Sequence, residues 1–184
     1  MRAVIVYESM FGCTRLVAEA VAEGLGRIAD VELVRVVGAD PDVLDGADLV
    51  VVGGPTQAWS MSRPSTRRGA PLHASDPKRN LVLEPGADSG PGVREWLASL
   101  ASTHRVHADA AAFDTRIASP ALLTGRASKG ISRELKRHGL AVVAPPESFL
   151  VDKKDHLLPG EVERARIWGA SLTAGVDRAD VPRA

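Results

Sequence analysis

The segment from Ser9 to Thr14 carries the residues best placed for chemistry. It follows the continuously apolar stretch Ala3 to Tyr7, which is typical of a strand buried on both faces, and a helical pattern begins at about Thr14. A loop between a strand and a helix offers an anion its backbone N–H groups and the positive end of the helix. The sequence therefore predicts a phosphate site at Ser9, Met10, Phe11, Gly12, Cys13 and Thr14.

Two later segments occupy equivalent places in the chain. Leu49 to Val52 predicts another buried strand, which ends in Gly53-Gly54-Pro55, where we expect a sharp turn. A fourth strand is predicted from about Val106 to Phe113. In open α/β sheets, ligands bind beyond the carboxyl ends of the strands, where the strand order reverses. We therefore expect the segments after the first, third and fourth strands to meet in one ligand site.

The elements that must position these segments alternate regularly. Short apolar runs alternate with helical patterns, which predicts an α/β domain whose parallel sheet lies between two helical layers. A helix is predicted from about Thr14 to Arg27, and an edge strand from Val31 to Val37. Further helices are predicted to begin near Pro91, at Ala127 and near Pro159. The fifth strand is predicted to start at Leu140, to be interrupted at Pro145-Pro146 and to resume from Ser148 to Val151.

Composition narrows the function classes. The 184 residues are 45% apolar and 25% charged, which fits one globular domain over residues 1–175 followed by a polar tail at 176–184. Because 23 Lys and Arg balance 23 Asp and Glu, no net charge favours nucleic acid or an anionic membrane as the main partner.

We expect a cytoplasmic protein without membrane insertion, since no apolar run approaches the length of a signal peptide core or a membrane span. The single cysteine, Cys13, excludes an internal disulfide.

The chain resembles the flavodoxin family at all three segments. Ser9, Gly12 and Thr14 match the phosphate loop pattern [ST]-x-T-G-x-T of that family. Gly54 to Trp59 resembles its second flavin loop, and Phe113 to Arg116 occupies the place of its third. The similarity in order and spacing extends over about residues 2 to 175.

The resemblance implies a doubly wound three-layer fold with a five-stranded parallel sheet in the order 2-1-3-4-5, and FMN bound without a covalent link. The residues from Ser9 to Thr14 would hold the phosphate, Trp59 would cover one face of the isoalloxazine ring, and Arg116 would lie near its pyrimidine side. The implied cofactor-binding residues beyond the phosphate loop are Pro55, Thr56, Gln57, Ala58, Trp59, Asp114, Thr115 and Arg116. No side chain is expected to act as an acid or base, and no metal ligands are predicted.

Several residues depart from the family pattern. Phe11 replaces a hydroxyl residue and Cys13 stands where Asn is common, so backbone contacts to the phosphate remain while two side-chain contacts are lost. The helix N-terminus is expected to lower the Cys13 pKa. Arg15 has two alternatives, a bond to the phosphate or exposure to water, and Arg116 has the alternative of an ion pair with Asp114.

The region around the second segment is also unusual. The stretch from Thr56 to Gly90 is long enough to predict either a functional or a disordered loop. Five basic residues stand against Asp76 between Pro55 and Asn80, which favours an anionic ligand or an acidic partner if the loop lies beside the site; the alternative is a solvated basic loop. These are Arg63, Arg67, Arg68, Lys78 and Arg79.

Three functions remain open. The first is an FMN-dependent oxidoreductase, with NAD(P)H as a candidate donor, that acts on a quinone-like acceptor; the absence of an aromatic residue from Asp114 to Gly125 favours it, because one face of the flavin stays reachable. The second is a one-electron carrier between protein partners. The third is a flavodoxin-like binding module that has lost FMN. The motifs of P-loop nucleotide triphosphatases and of α/β-hydrolases are absent from the sequence.

Overall fold

The computed structural model describes residues 1–100 and 107–172, so the predicted tail at 176–184 and the predicted start of the fourth strand at Val106 lie outside the described residues. The strands are β1 (Arg2–Tyr7), β2 (Asp30–Arg35), β3 (Leu49–Gln57), β4 (Ser60–Met61), β5 (Asp109–Ile117), β6 (Ala141–Val142) and β7 (Glu147–Val151). The helices are α1 (Cys13–Leu25), α2 (Pro64–Arg67), α3 (Ala70–Ala74), α4 (Val93–Ser99), α5 (Ala121–Thr124), α6 (Ala127–Arg137) and α7 (Glu161–Ser171). Short 3-10 turns lie at Val36–Gly38 and Pro41–Leu44.

The sheet confirms the predicted order of five parallel positions. Strands β2, β1, β3 and β5 lie side by side, and both β6 and β7 pair with β5 at the fifth position. Pro145 and Pro146 separate β6 from β7, because proline cannot donate a hydrogen bond to a neighbouring strand. The short strand β4 is an addition, which pairs with the end of β3 in an antiparallel hairpin.

The two inner strands run further than the sequence predicts. Instead of turning at Gly53-Gly54-Pro55, β3 stays paired with β5 up to Pro55 and continues to Gln57. The glycines permit this continuation, since a Cβ atom at Gly53 would overlap the ring of Phe113. Consequently, the site residues from Pro55 to Gln57 and from Asp114 to Arg116 lie on strands and not in loops.

Apolar residues alternate between the two faces of the sheet and fill two cores. Val4 and Val6 of β1 face the core under α4 and α6, whereas Ile5 faces the core under α1 and α7. On the second side, the rings of Phe113, Phe149 and Trp168 meet edge to face with centroids 6.0 to 6.1 Å apart. The fold is therefore the predicted three-layer sandwich.

Helices α1 and α7 approach each other closely. A Cβ atom at Gly24 would overlap the carbonyl oxygen of Arg166, and one at Gly169 would overlap the carbonyl oxygen of Val21. The two glycines thus allow direct backbone contact between the first and last helices of the described chain.

The long stretch after β4 is ordered against the rest of the protein. We call residues 62–92 the insert. Ala70 and Ala87 of the insert form a small apolar cluster with Met10, and the N–H group of Glu84 donates to the carbonyl of Met10 at 2.9 Å. The insert therefore covers the segment that follows β1. In residues 1–100 and 107–172, no helix is long and apolar enough to cross a membrane.

Candidate functional site

The backbone between β1 and α1 is shaped by Gly12. This residue precedes the helix with φ 92°, a left-handed conformation that glycine adopts readily. The Ser9 hydroxyl accepts a hydrogen bond from the Gly12 N–H group at 3.1 Å, and the Gly12 carbonyl accepts one from Leu16 at 2.9 Å. Ser9 and Gly12 therefore fix the conformation of the loop through internal contacts.

The first turn of α1 presents free donors. Cys13, Thr14 and Arg15 are the first three residues of α1, and the N–H groups at the start of a helix have no acceptor within the helix itself. A left-handed residue beside right-handed ones makes successive N–H groups converge on a concave surface, and the helix dipole adds positive potential there. This arrangement can hold an anion such as a phosphate group.

Cys13 corrects an expectation from the sequence. Its thiol donates to the carbonyl oxygen of Asp155 at 2.9 Å. Burial raises the pKa of the thiol to about 11, and the nearby carboxylates of Asp155 and Asp152 also raise it. The pKa is therefore raised and not lowered as the sequence predicts, and burial of this sulfur atom is the main cause.

Arg15 is paired within the protein. Its guanidinium group forms ion pairs with Glu84 of the insert and Glu19 of α1, each at 2.8 Å. It thereby fastens the insert to the first helix.

The second segment forms a tight hairpin at the end of β3. Ala58 and Trp59 are its two central residues and both have positive φ, 45° and 66°. Non-glycine residues in this region are strained, and such strain is concentrated at functional sites. The Trp59 side chain is 67% exposed, and the backbone of Gly125 packs directly against the backbone of Trp59.

Helix α4 anchors the same hairpin. The Arg94 guanidinium donates to the Ser60 hydroxyl at 3.1 Å and to the carbonyls of Met61 and Ser62 at 2.9 and 3.1 Å. Nearby, the Thr56 hydroxyl accepts from the N–H group of Ala127 at the start of α6, at 2.8 Å. The strained turn is therefore held at both ends by helices.

The third segment lies at the end of β5, and its residues bond to the first turns of two helices. Asp114 is fully buried, and its carboxylate accepts a hydrogen bond from the N–H group of Ser128 at 2.7 Å, near the start of α6. Thr115 bonds to Thr14 through the two hydroxyl groups, 2.8 Å apart.

Arg116 organises the chain that follows β5. It donates to the carbonyl of Ser119 at 2.6 Å and to the Thr124 hydroxyl at 3.3 Å. In the ranges that the structure describes, it forms no ion pair with Asp114, so the alternative considered for it is not observed.

One cavity, which we call the central cavity, draws on all three segments. Its volume is about 100 Å³. The predicted site residues that line it are Met10, Phe11, Cys13, Thr14, Pro55, Thr56, Gln57, Thr115 and Arg116. Ile117, Val151 and Asp155 also line it and were not predicted, whereas Ser9, Gly12 and Asp114 do not line it.

A second opening, the hairpin cavity, adjoins the central cavity. It has a volume of about 260 Å³ and shares Thr56, Arg116 and Ile117 with the central cavity. Ala58 and Trp59 contribute to its lining, together with the aliphatic side chain of Leu123. The chain after β5 thus supplies aliphatic surface to this cavity.

Two residues that line these cavities carry a buried polar atom without a protein partner. Gln57 Oε1 and Arg116 Nε have no hydrogen-bond partner among the described residues, and both residues line the central cavity. Buried polar groups are normally satisfied, so such atoms mark places where a ligand can bond.

Sequence reasoning missed a buried polar cluster beside the site. The Glu8 carboxylate accepts hydrogen bonds from the Ser62 hydroxyl and, at 2.8 Å, from the Val93 N–H group. Arg67 donates to Ser62 at 2.9 Å and pairs with Glu95 at 2.8 Å. Burial raises the pKa of Glu8. The partners come from separate parts of the chain, so no local spacing signals the cluster.

The basic residues of the insert divide into two groups. Arg67 is buried in the cluster with Glu95, and Arg79 pairs with Asp155 at 2.8 Å. Arg63, Arg68 and Lys78 are exposed. Two of the five predicted charges are thus compensated within the protein.

Comparison with known proteins identifies the fold. No protein-family model matches the sequence, and no curated protein sequence matches it either. A flavodoxin from the domain Archaea superposes with a TM-score of 0.64 at 20% identity, over 96% of this chain and 99% of that one. Flavodoxin 1 from Bacillus cereus gives a TM-score of 0.67 at 16% identity, over 95% and 98%. Rubredoxin oxygen:oxidoreductase from Desulfovibrio gigas gives 0.62 at 17% identity, over 97% of this chain and 35% of that protein. The chain therefore has a flavodoxin-like fold.

Proposed function

We propose that the protein binds FMN without a covalent link in the central and hairpin cavities and uses it to transfer electrons. The observation that carries this proposal is that side chains from three distant segments, led by Thr14, Gln57 and Arg116, line a single cavity at the carboxyl ends of β1, β3 and β5. The likeness to flavodoxins over almost the whole chain supports it.

The donors and acceptors of the site suit the parts of FMN. The N–H groups of Cys13, Thr14 and Arg15 would hold the phosphate. Gln57 Oε1 can accept a hydrogen bond from a ribityl hydroxyl group, and Arg116 Nε can donate to a carbonyl oxygen of the pyrimidine ring. Trp59 would cover one face of the ring. Ser9, Gly12 and Asp114 act behind this surface, since they shape the first loop and hold α6.

The protein side chains would tune the cofactor and control access to it. Bound FMN supplies one- or two-electron redox chemistry. The positive charge of Arg116 would stabilise the negative charge that develops on the pyrimidine side of FMN when the flavin is reduced. It would therefore raise the two-electron reduction potential of the flavin. We infer an oxidoreductase that acts on a small quinone-like acceptor, because the segment from Asp114 to Gly125 has no aromatic residue to cover the second face.

A carrier between protein partners is the second candidate. Trp59, Leu122 and Leu123 are 67%, 91% and 66% exposed, and an apolar rim of this kind also suits contact with another protein. The two candidates differ in whether a small donor such as NADPH reduces the flavin directly.

A visible absorbance titration with FMN tests the proposal, followed by anaerobic NADPH in the same cuvette. A shifted flavin band with micromolar or tighter binding is expected, and bleaching by NADPH would favour the oxidoreductase over the carrier. Absence of binding at millimolar FMN would overturn both functions and leave a module without FMN.

Gly12→Ala provides a site-specific test, with Gly139→Ala as its matched control. Both glycines have φ near 90°, so both variants carry similar backbone strain, but Gly139 ends a helix outside the site. We expect FMN binding to weaken in Gly12→Ala and to stay unchanged in Gly139→Ala. Equal binding by both variants would remove the first loop from the proposed site.

A further inference from the structure

A third space, which we call the insert groove, opens beside the central cavity. Its volume is about 430 Å³, within the range of small-molecule sites. Phe11, Gln57, Ile117 and Asp155 line both spaces, so the groove and the central cavity are adjacent.

The outer walls of the groove come from two segments beyond the three that carry the predicted FMN residues. One wall is the insert, through Ser65, Gly69 and His73 near helices α2 and α3, and the other is the turn after β7, through Lys153. The ion pair between Arg79 and Asp155 joins these two walls at 2.8 Å. The groove is therefore a built feature, held closed at one point by a charged link.

The lining has two chemical characters. Phe11, Ala58, Ala70 and Ile117 provide apolar surface close to the central cavity. The polar side is rich in donors: the cations of Arg79 and Lys153 and the imidazole of His73 stand against one carboxylate, that of Asp155. Because Asp155 already compensates Arg79, Lys153 contributes an excess positive charge. A ligand that is complementary to both sides of the groove has an apolar body and an anionic group.

We propose that the insert groove binds a small organic anion with a flat apolar body, which carries a carboxylate, sulfonate or phosphate group, beside the proposed flavin. The role of this ligand as the electron acceptor rests on the proposed function, whereas its binding does not.

Binding is tested with naphthalene-2-sulfonate, a redox-inactive probe, in the protein without FMN and again with saturating FMN. Isothermal titration calorimetry should show saturable binding of the sulfonate and weaker binding of the neutral analogue 2-naphthylmethanol. Failure of the FMN titration would overturn the proposed function without affecting this result. Equal affinity for the two probes, or no saturable sulfonate binding, would overturn the groove as an anion site.

Three variants locate the probe. Lys153→Gln should weaken sulfonate binding roughly two- to fivefold, the range expected for a partly solvated charge pair, while Lys154→Gln is the control because Lys154 does not line the groove. Asp155→Asn should strengthen binding by a similar factor, since it removes the opposing charge beside Arg79. Ser65→Trp should abolish binding because the indole ring fills the groove.

The opposite signs for Lys153→Gln and Asp155→Asn separate an electrostatic role from structural damage, which would weaken binding in both variants. Identical affinities for Lys153→Gln and Lys154→Gln, or sulfonate binding that survives in Ser65→Trp, would place the probe elsewhere and overturn the proposal.

Discussion

The hydroxyl groups of Thr14 and Thr115 lie 2.8 Å apart and form a buried hydrogen bond between the first turn of α1 and the end of β5. Both side chains also line the central cavity. This bond therefore connects the proposed phosphate site to the proposed ring site, and the spacing of the two depends on it.

A double-mutant cycle tests this connection. Thr14→Val and Thr115→Val should each lower the free energy of unfolding by about 1 to 2 kcal/mol, because each leaves one buried hydroxyl group unpaired. The double variant should lose less than the sum, with a coupling of about 1 kcal/mol. Urea unfolding of the four proteins measures these values, and strictly additive losses would show that the hydroxyl groups do not interact.

Replacement of Trp59 tests the proposed cover of the flavin ring. Trp59→Ala should weaken FMN binding roughly two- to tenfold through loss of aromatic stacking, and should reduce the quenching of flavin fluorescence. The free energy of unfolding should change by less than about 0.5 kcal/mol because the side chain is 67% exposed. Trp59→Phe should retain most of both signals. Unchanged affinity and emission in Trp59→Ala would remove this residue from the site.

Arg116 has an electrostatic and a structural role that two variants separate. Arg116→Ala should lower the two-electron potential of the bound flavin and also cost about 1 to 2 kcal/mol of stability, since the bonds to Ser119 and Thr124 are lost. Arg116→Lys should keep the charge, and hence more of the potential, while it loses the same bonds. Redox titration and urea unfolding are the measurements. A potential unchanged in Arg116→Ala would contradict the charge effect.

The buried carboxyl group of Glu8 makes stability depend on pH. Burial raises its pKa above the ordinary value of 4.5, so the folded protein holds this proton more tightly than the unfolded chain. The contribution is fully present below about pH 4.5 and is lost as the pH rises through the raised pKa. Relative to Glu8→Gln, the wild-type protein should lose stability as the pH rises above about 4.5.

Thermal or urea unfolding over this pH range measures the effect, with Glu23→Gln as the exposed control. A parallel pH profile for the wild-type protein and Glu8→Gln would show that Glu8 does not titrate differently in the folded state.

Cys13 should be nearly inert towards alkylation. A pKa of about 11, compared with the ordinary 9.0, reduces the thiolate fraction at neutral pH roughly 100-fold. Iodoacetamide should therefore modify the folded protein about 100 times more slowly than the protein in urea, as followed by mass spectrometry. Similar rates in both states would contradict the buried environment of this thiol.

The sequence predicted the sheet well because its signals are local. Apolar runs such as Ala3 to Tyr7 and Leu49 to Val52 mark buried strands, and the interruption at Pro145-Pro146 marks a divided fifth strand. Once the strand order is known, the carboxyl ends of β1, β3 and β5 must be neighbours, which explains why nine predicted residues meet in one cavity.

Features that depend on distant partners could not be predicted. The sequence around Gly53 indicates a turn, yet Gly53 lies in an extended strand. A side chain at this position would overlap the ring of Phe113. Arg15 and Asp155 have no nearby sequence signal for their partners, Glu84 and Arg79, which the insert supplies. The contacts that the insert makes with the site are therefore the ones that the sequence does not predict.

The backbone contact between α1 and α7 at Gly24 and Gly169 has a consequence for biosynthesis. The first helix emerges early from the ribosome and packs on β1 and β3, but the side of it that meets α7 stays uncovered until that last described helix has been made. Long-range closure of this kind slows folding and leaves a hydrophobic surface on the nascent chain. We therefore expect a chain that ends before α7 to aggregate more readily than the whole chain.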